Sequence, residues 1–276
     1  MHTGETIREF RERAGFSQKT LAKALHITDK AVSKWERGLS HPDVTLLPKL
    51  ALLLDTDIDH LLSISIEEEP WVGLIEIKNC DFSQIVYDKP LVHYLLIHYL
   101  LAGVTTVHFQ TSKQNEDYLR SLELKELGFD LRFDRPEEKN VMLLTHPWFL
   151  FGSDLTEQFR GAMLTKRMLK VVPANQEPVF FFIPEDMLVT YYSDKKRFCK
   201  KLTKRDLGRG MICLDMSDHD RILDVAVFVR TYQNNSGLLI GSLEEVAYNR
   251  GLITNEQLCK YCEIATYGDI LRRKKE

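Results

Sequence analysis

Lys30, Ala31, Ser33, Lys34 and Arg37 gather two amines, a hydroxyl and a guanidinium around the apolar pair Val32 and Trp35. At helical spacing Val32 and Trp35 turn to one side and the other five to the opposite side. A face so short, basic and polar does recognition rather than bond chemistry, and it suits a helix lying in the major groove of DNA. Two other sets invite a chemical reading. His146 and Asp215 resemble the beginning of a transition-metal pair, but two donors alone are a thin ligand set, and a satisfied core histidine is expected instead. Cys259 and Cys262 form a C-x-x-C inside a helical stretch. Zinc needs four ligands, and a redox pair belongs after a strand at a helix start, so packing on one helical face is expected. No nucleophile motif of the Ser-His-Asp or Cys-His kind accompanies them.

The elements that would hold the basic face are legible around it. Ser17 is a natural N-cap for a helix that buries Leu21, Ala22 and Leu25. His26 and Ile27 make the corner, Thr28 caps the second helix, and Asp29 sits where the helix dipole favours negative charge. A preceding helix over residues 4–14 turns Ile7 and Phe10 inward. After a turn at residues 40–43, Asp43 starts a helix through Leu54, and Asp57 starts a short one ending at Leu62. Leu52, Leu53, Leu61 and Leu62 exceed what one such core needs; the core of this five-helix, all-α domain is their expected place, with packing on a partner as the alternative for some.

Residues 16–25 (FSQKTLAKAL), 32–38 (VSKWERG) and 41–54 (HPDVTLLPKLALLL) resemble the lambda-repressor-like, Xre-type helix-turn-helix family. The resemblance covers about residues 3–63. It implies that Ser17 and Gln18 hold phosphates at the first helix's N-terminus. It implies further that Lys30, Ala31 and Lys34 face base edges, while Ser33 and Arg37 steady the backbone. The partner would be a double-stranded DNA operator.

A chain of 276 residues has room for two domains, each with its own core. Residues 1–49 carry nine Lys/Arg against six Asp/Glu, and the remainder 28 against 34, within a net charge of −3. A basic head on an acidic body fits a head that binds DNA and a body that does not. Five cysteines cannot all pair within one chain, the first helix is too charged for a signal peptide, and no apolar run reaches spanning length. A cytoplasmic protein with reduced thiols and no membrane contact is expected. Residues 64–70, ending EEEP, read as a solvated linker between a head over residues 1–63 and a body over residues 71–276.

Within the body, strands are expected at residues 71–77, 104–110, 129–133, 141–144, 168–172, 179–183 and 211–215. Helices are expected at residues 90–103, 116–127, 218–233, 242–250, 254–264 and 268–274. Such alternation implies an α/β domain with a mainly parallel, Rossmann-like sheet covered on both faces. Residues 86–103 (VYDKPLVHYLLIHYLLAG), 143–155 (LLTHPWFLFGSDL) and 207–267 resemble the sugar-1-phosphate nucleotidyltransferases, closest the glucose-1-phosphate thymidylyltransferases. The likeness spans roughly residues 71–270.

Enzymes of that family work by positioning and charge neutralisation, using a glycine-rich loop, basic side chains and Mg²⁺ on two aspartates. Here the loop after the first strand, residues 76–84, is short and has neither glycine nor arginine. The family's lysine just ahead of the VYDKP box has no counterpart, since residues 81–85 hold no basic side chain, and its base-binding Q-P-x-G and sugar-binding E-K-P stretches have none either. Thr145-His146-Pro147 stands where the family has G-D-N, so only Asp215 matches a metal ligand, and one carboxylate makes a poor magnesium site. The body therefore reads as a nucleotidyltransferase-like pseudoenzyme with no catalytic, cofactor-binding or metal residues. The expected function is transcription regulation, with the body pairing copies into a homodimer or higher homo-oligomer, sensing a ligand such as a nucleotide-sugar effector, or both. The alternative is a nucleotidyltransferase carrying a DNA-binding head.

Overall fold

A computed structural model of the protein describes residues 3–54, 56, 58–61, 71–137, 139–152, 154–164, 169–172, 179–195, 198, 203–206, 210–264 and 267–268. The chain divides into two compact units, Met1–Glu68 and Glu69–Glu276. The linker expected at residues 64–70, Asp57, Leu62, Cys199, the helix expected beyond Gly268 and the basic tail Arg272–Lys275 lie outside the described residues.

The first unit is all-α: α1 (Thr3–Arg13), α2 (Gln18–Leu25), α3 (Asp29–Glu36), α4 (Leu47–Leu53) and α5 (Ile58–Leu61). Ser17 caps α2 by accepting from the Thr20 amide at 3.1 Å, and Thr28 caps α3 by accepting from the Ala31 amide at 3.2 Å. Ile7, Leu21, Leu25, Val32, Trp35, Leu50 and Leu61 form its core. Asp43 does not open an α-helix as expected. It caps a 3₁₀ turn, Val44–Leu46, accepting from the Thr45 amide at 2.8 Å, and α4 begins only after it. Pro48 is the reason, because it has no N–H to give the Val44 carbonyl. Leu52 departs from its expected core place and is 81% exposed, whereas Leu53 packs against the core and Leu61 is fully buried.

The second unit is α/β. Strand β1 (Trp71–Ile75) is followed by the hairpin β2 (Ile85–Val86) and β3 (Lys89–Pro90), helix α6 (Leu91–Ala102), β4 (Thr106–Phe109) and α7 (Lys113–Ser121). Then come β5 (Asp130–Arg132), β6 (Asn140–Leu144), β7 (Trp148–Phe151), α8 (Leu155–Leu164), β8 (Leu169–Val172), β9 (Phe180–Ile183) and α9 (Glu185–Ser193). The described elements end with β10 (Thr203–Asp206), β11 (Ile212–Asp215), α10 (His219–Ser236), α11 (Leu243–Asn249) and α12 (Asn255–Ile264). The main sheet runs β10-β8-β9-β6-β1-β4-β5. Strands β6, β1, β4 and β5 are mutually parallel, and β9 runs antiparallel to both its neighbours. β7 and β11 leave that sheet and pair antiparallel, setting Asp215 opposite Trp148.

Side chains alternate across the sheet as its pleat requires. Ile75, Met142 and Leu144 join the larger core under α6, while Val72, Leu74, Val141 and Leu143 join a second one under α9. α6 lies directly on β1 at Gly73, where a Cβ would stand 2.7 Å from the Tyr99 ring. The helix expected at residues 116–127 instead starts earlier, where Ser112 caps α7, and breaks at Leu122 before a 3₁₀ turn. Helices α8 and α9 and strand β7 were not among the expected elements.

Candidate nucleic-acid interface and the cleft of the second domain

On α3, Lys30, Lys34 and Arg37 are exposed, whereas Ser33 and Ala31 are half-buried. Ala31 packs against the head's core, so it lies at the margin of the outward face rather than in its centre. Arg37 follows the helix as its C-cap residue, and its Nε donates back to the Ser33 carbonyl at 3.1 Å. Ser17 is engaged as the cap of α2, and its hydroxyl also meets the Thr20 hydroxyl at 2.9 Å. Gln18 is engaged too: its amide donates to Glu36 at 2.7 Å.

Glu36 is a residue that motif reading passed over. Its carboxylate takes Arg11 Nε at 2.6 Å, and Arg11 reaches the Phe16 carbonyl at 2.6 Å with another nitrogen. Both side chains are nearly buried, at 9% and 4% exposure. The hydrogen bond to Glu36 holds the Arg11 pKa above its ordinary value. This Arg11–Glu36–Gln18 knot ties α1, α2 and α3 together, and so sets the pose of the basic face. Six charged residues crowd the first helix, and no local spacing distinguishes Arg11 among them.

In the second unit, a polar cleft of about 580 Å³ opens beyond the C-terminal ends of β1, β4 and β6, lined among others by Glu76, Lys78, Gln110, Arg135, His146 and Lys195. Open α/β sheets place ligands at this end of their strands. Glu76 is already spoken for, accepting from the Tyr191 hydroxyl and from Lys195 Nζ, each at 2.6 Å. The β1–β2 loop is sewn shut rather than displayed. The Asn115 side chain accepts from the Phe82 amide at 3.1 Å and donates to the Cys80 carbonyl at 2.8 Å, and the Asp81 carboxylate takes the Ser83 amide at 2.9 Å. Phe82 is fully buried, so the loop wraps a core residue where a phosphate cradle would turn amides outward.

His146 corrects its sequence expectation. It is no core histidine; its side chain is 39% exposed at the cleft, with Nε2 2.8 Å from Asp215 Oδ1. Its ring leans on Trp148 at 4.8 Å. Burial and the neighbouring Arg221 guanidinium push its pKa down, and because the Asp215 carboxylate only accepts, Nε2 is the donor between them. Asp215 also takes the Ser217 amide at 2.8 Å and an ion pair from Arg221. One carboxylate satisfied by a guanidinium and two N–H donors does not fit Mg²⁺, which wants several free hard oxygens. Among the described residues no group of three or more His, Cys, Asp or Glu could hold a metal ion.

A second, mostly apolar cavity of about 290 Å³ lies between α6, β7 and α11, where Tyr94, Phe149, Phe151 and Val246 meet the acidic Asp154 and Glu245. On α12, Cys262 belongs to the larger core and Cys259 is half-buried; neither forms a disulfide. No described helix is long and apolar enough to cross a membrane.

Comparison with known proteins divides along the same line. Residues 7–61 match the helix-turn-helix family HTH_3 and are a helix-turn-helix domain. The HTH-type transcriptional regulator ImmR of Bacillus subtilis is 37% identical over 62 residues, which is 22% of this chain and 49% of that protein. A glucose-1-phosphate thymidylyltransferase of Neisseria meningitidis is 40% identical over 57 residues, 21% of this chain and 20% of the enzyme. The chain thus spans about half the length of the one relative and a fifth of the other. A UDP-glucose pyrophosphorylase structure from Acinetobacter baumanii overlays with a TM-score of 0.46 at 9% identity, covering 66% of this chain and 99% of that one.

Proposed function

We propose that the chain is a sequence-specific, DNA-binding regulator of transcription whose second domain no longer catalyses nucleotidyl transfer and instead brings two or more copies together. The observation that carries the reading is the face of α3. Lys30, Lys34 and Arg37 stand outward from a helix that is capped at Thr28 and locked to its neighbours through Glu36. In this reading Lys30 and Lys34 meet base edges, with Ala31 at the margin of that contact. Ser33 and Arg37 steady the DNA backbone, and the α2 N-terminus at Ser17 and Gln18 takes a phosphate. Gln18 keeps its carbonyl end free of Glu36, but its amide must be shared with or released from that carboxylate to serve a phosphate.

The test is selection of an operator from random duplexes, followed by binding titrations at several salt concentrations. Lys34→Ala and Lys30→Ala should relax base preference and cost about 1–3 kcal/mol where the contact is bidentate. Arg37→Ala should weaken all sequences alike and flatten the salt dependence. Equal loss of specific and random binding in all three variants would overturn these roles.

A second reading, in which the body also senses an anionic effector, is favoured by the basic lining of the larger cleft. Lys78, Arg135 and Lys195 face one carboxylate, Glu76, there. The acidic, apolar second cavity offers no such charge. Calorimetric titration with dTTP, glucose-1-phosphate and dTDP-sugars, with Mg²⁺ present, tests it. Binding without pyrophosphate release supports a nucleotide-sugar sensor; silence leaves the body as an oligomerising scaffold. Pyrophosphate release would overturn the pseudoenzyme reading in favour of an enzyme with a DNA-binding head.

A further inference from the structure

The longest described helix of the second unit carries apolar side chains on its solvent face. On α10, Ile222, Val225, Val229 and Gln233 turn inward and are buried. Asp220, Leu223, Asp224, Val227, Arg230, Thr231 and Asn234 are exposed, and at 100° per residue they form a single outward stripe. Leu223 is 51% exposed and Val227 64%. The β2–β3 hairpin runs alongside, with Gln84 3.2 Å from His219 and Asp88 3.0 Å from Gln233. It adds two more exposed apolar side chains, Ile85 and Tyr87. Arg221 is already committed to Asp215 and Asp218.

We infer that this stripe is an isologous interface, packing α10 antiparallel against α10 of a second copy of the chain. The stripe is self-complementary. Leu223 and Val227 lie at equal distances on either side of Val225, and so do Asp220 and Arg230. A two-fold axis at that height sets Leu223 against the partner's Val227, and Asp220 against the partner's Arg230, each contact made twice. Among the described residues neither Asp220 nor Arg230 has an ion pair within its own chain, so both charges are available for this one. The parallel arrangement would instead set Asp220 beside Asp220 and Arg230 beside Arg230, like charge against like. A stripe of this composition therefore selects a second copy over an unrelated helix, and antiparallel over parallel. The inference rests on the reading that the body oligomerises and assigns the surface that does it.

The test is a charge swap in the full chain, followed by sedimentation equilibrium over a range of concentrations. Asp220→Arg and Arg230→Asp should each weaken self-association by about 10- to 100-fold, because each puts like charges together twice. The double variant should recover wild-type association, and Val227→Lys should leave a monomer. All three positions are exposed, so loss of the fold is not expected, and circular dichroism checks it. A wild-type dimer unmoved by the single variants, or a double variant that stays dissociated, overturns the α10 interface while leaving an oligomeric regulator intact. A wild-type chain that is monomeric at every concentration overturns the oligomerisation reading itself.

Discussion

Glu36 is not part of the basic face of α3, yet it holds that face in place. Its carboxylate serves Arg11 and Gln18 at once from a nearly buried position. Breaking a buried pair by removing one partner leaves a charge without water or counter-ion, which costs about 3–5 kcal/mol. Glu36→Ala should therefore destabilise the head by that order, measurable in urea unfolding, whereas replacing Arg11 and Glu36 together by apolar residues should be far milder. A single variant no worse than the double would remove the knot from the account. The basic face itself was readable, because Lys30, Lys34 and Arg37 stand at local helical spacing. The knot was not, since Arg11 and Glu36 meet only after three helices have packed. His146 and Asp215 were paired from sequence, but the ring's place was misread: its half-open position at the cleft is set by the β7–β11 pairing, which local pattern does not show. His98 yields a prediction with a sign. Fully buried, with Nε2 3.0 Å from the Leu150 carbonyl, it has a pKa pushed down to about 4, chiefly by burial. The unfolded chain takes up that proton near pH 6.5, and the folded chain does not until about pH 4. Its contribution is thus complete above pH 6.5 and is lost as pH falls through that window, by roughly 3 kcal/mol in all. Hydrogen exchange of α6 peptides at pH 7 and pH 4.5 should show the loss, and His98→Gln should reduce it.

Among the elements, those with their own punctuation were legible and those without it were not. Ser17, Thr28 and Ser242 each stand at the helix start their sequence announces, and Gly103 ends α6 in the left-handed conformation, whereas the Ser112 cap of α7 was passed over. β7 is a four-residue apolar run, WFLF, which periodicity alone cannot separate from a buried turn. α9 starts at Pro184 directly off β9 with no side-chain cap, and α8 opens beside Asp154, so neither announces itself. The antiparallel place of β9 in an otherwise parallel half-sheet is a long-range outcome that local pattern does not carry. The corner between α2 and α3 shows what a local signal is worth. His26 sits there at φ 59°, exposed, in a conformation that glycine adopts without strain. His26→Gly should stabilise the head by about 0.5–1 kcal/mol, read as a raised thermal midpoint. A drop instead would mean that the imidazole makes a contact worth more than the strain it imposes.

At the scale of the whole molecule, the proposed pairing through the body would answer a problem that a single head faces. One α3 presents only Lys30, Lys34 and Arg37 with their half-buried neighbours, too few contacts for tight binding at physiological salt. Joining two heads through their bodies makes the second docking intramolecular, at an effective concentration that raises avidity by about 10²–10⁴ with no new contact. Residues 1–63 alone should therefore bind a pseudo-palindromic operator weaker than the full chain by that factor, while matching it on an isolated half-site. Inserting about five base pairs between the half-sites turns them to opposite sides of the duplex, and it should erase the full chain's advantage without touching the isolated head. Asp220→Arg should behave as the isolated head does, since it leaves α3 untouched and removes only the pairing. Equal operator affinity for the head and the full chain would mean that the heads pair by themselves. In that case the exposed Leu52 of α4, rather than the stripe on α10, would be the surface to change next.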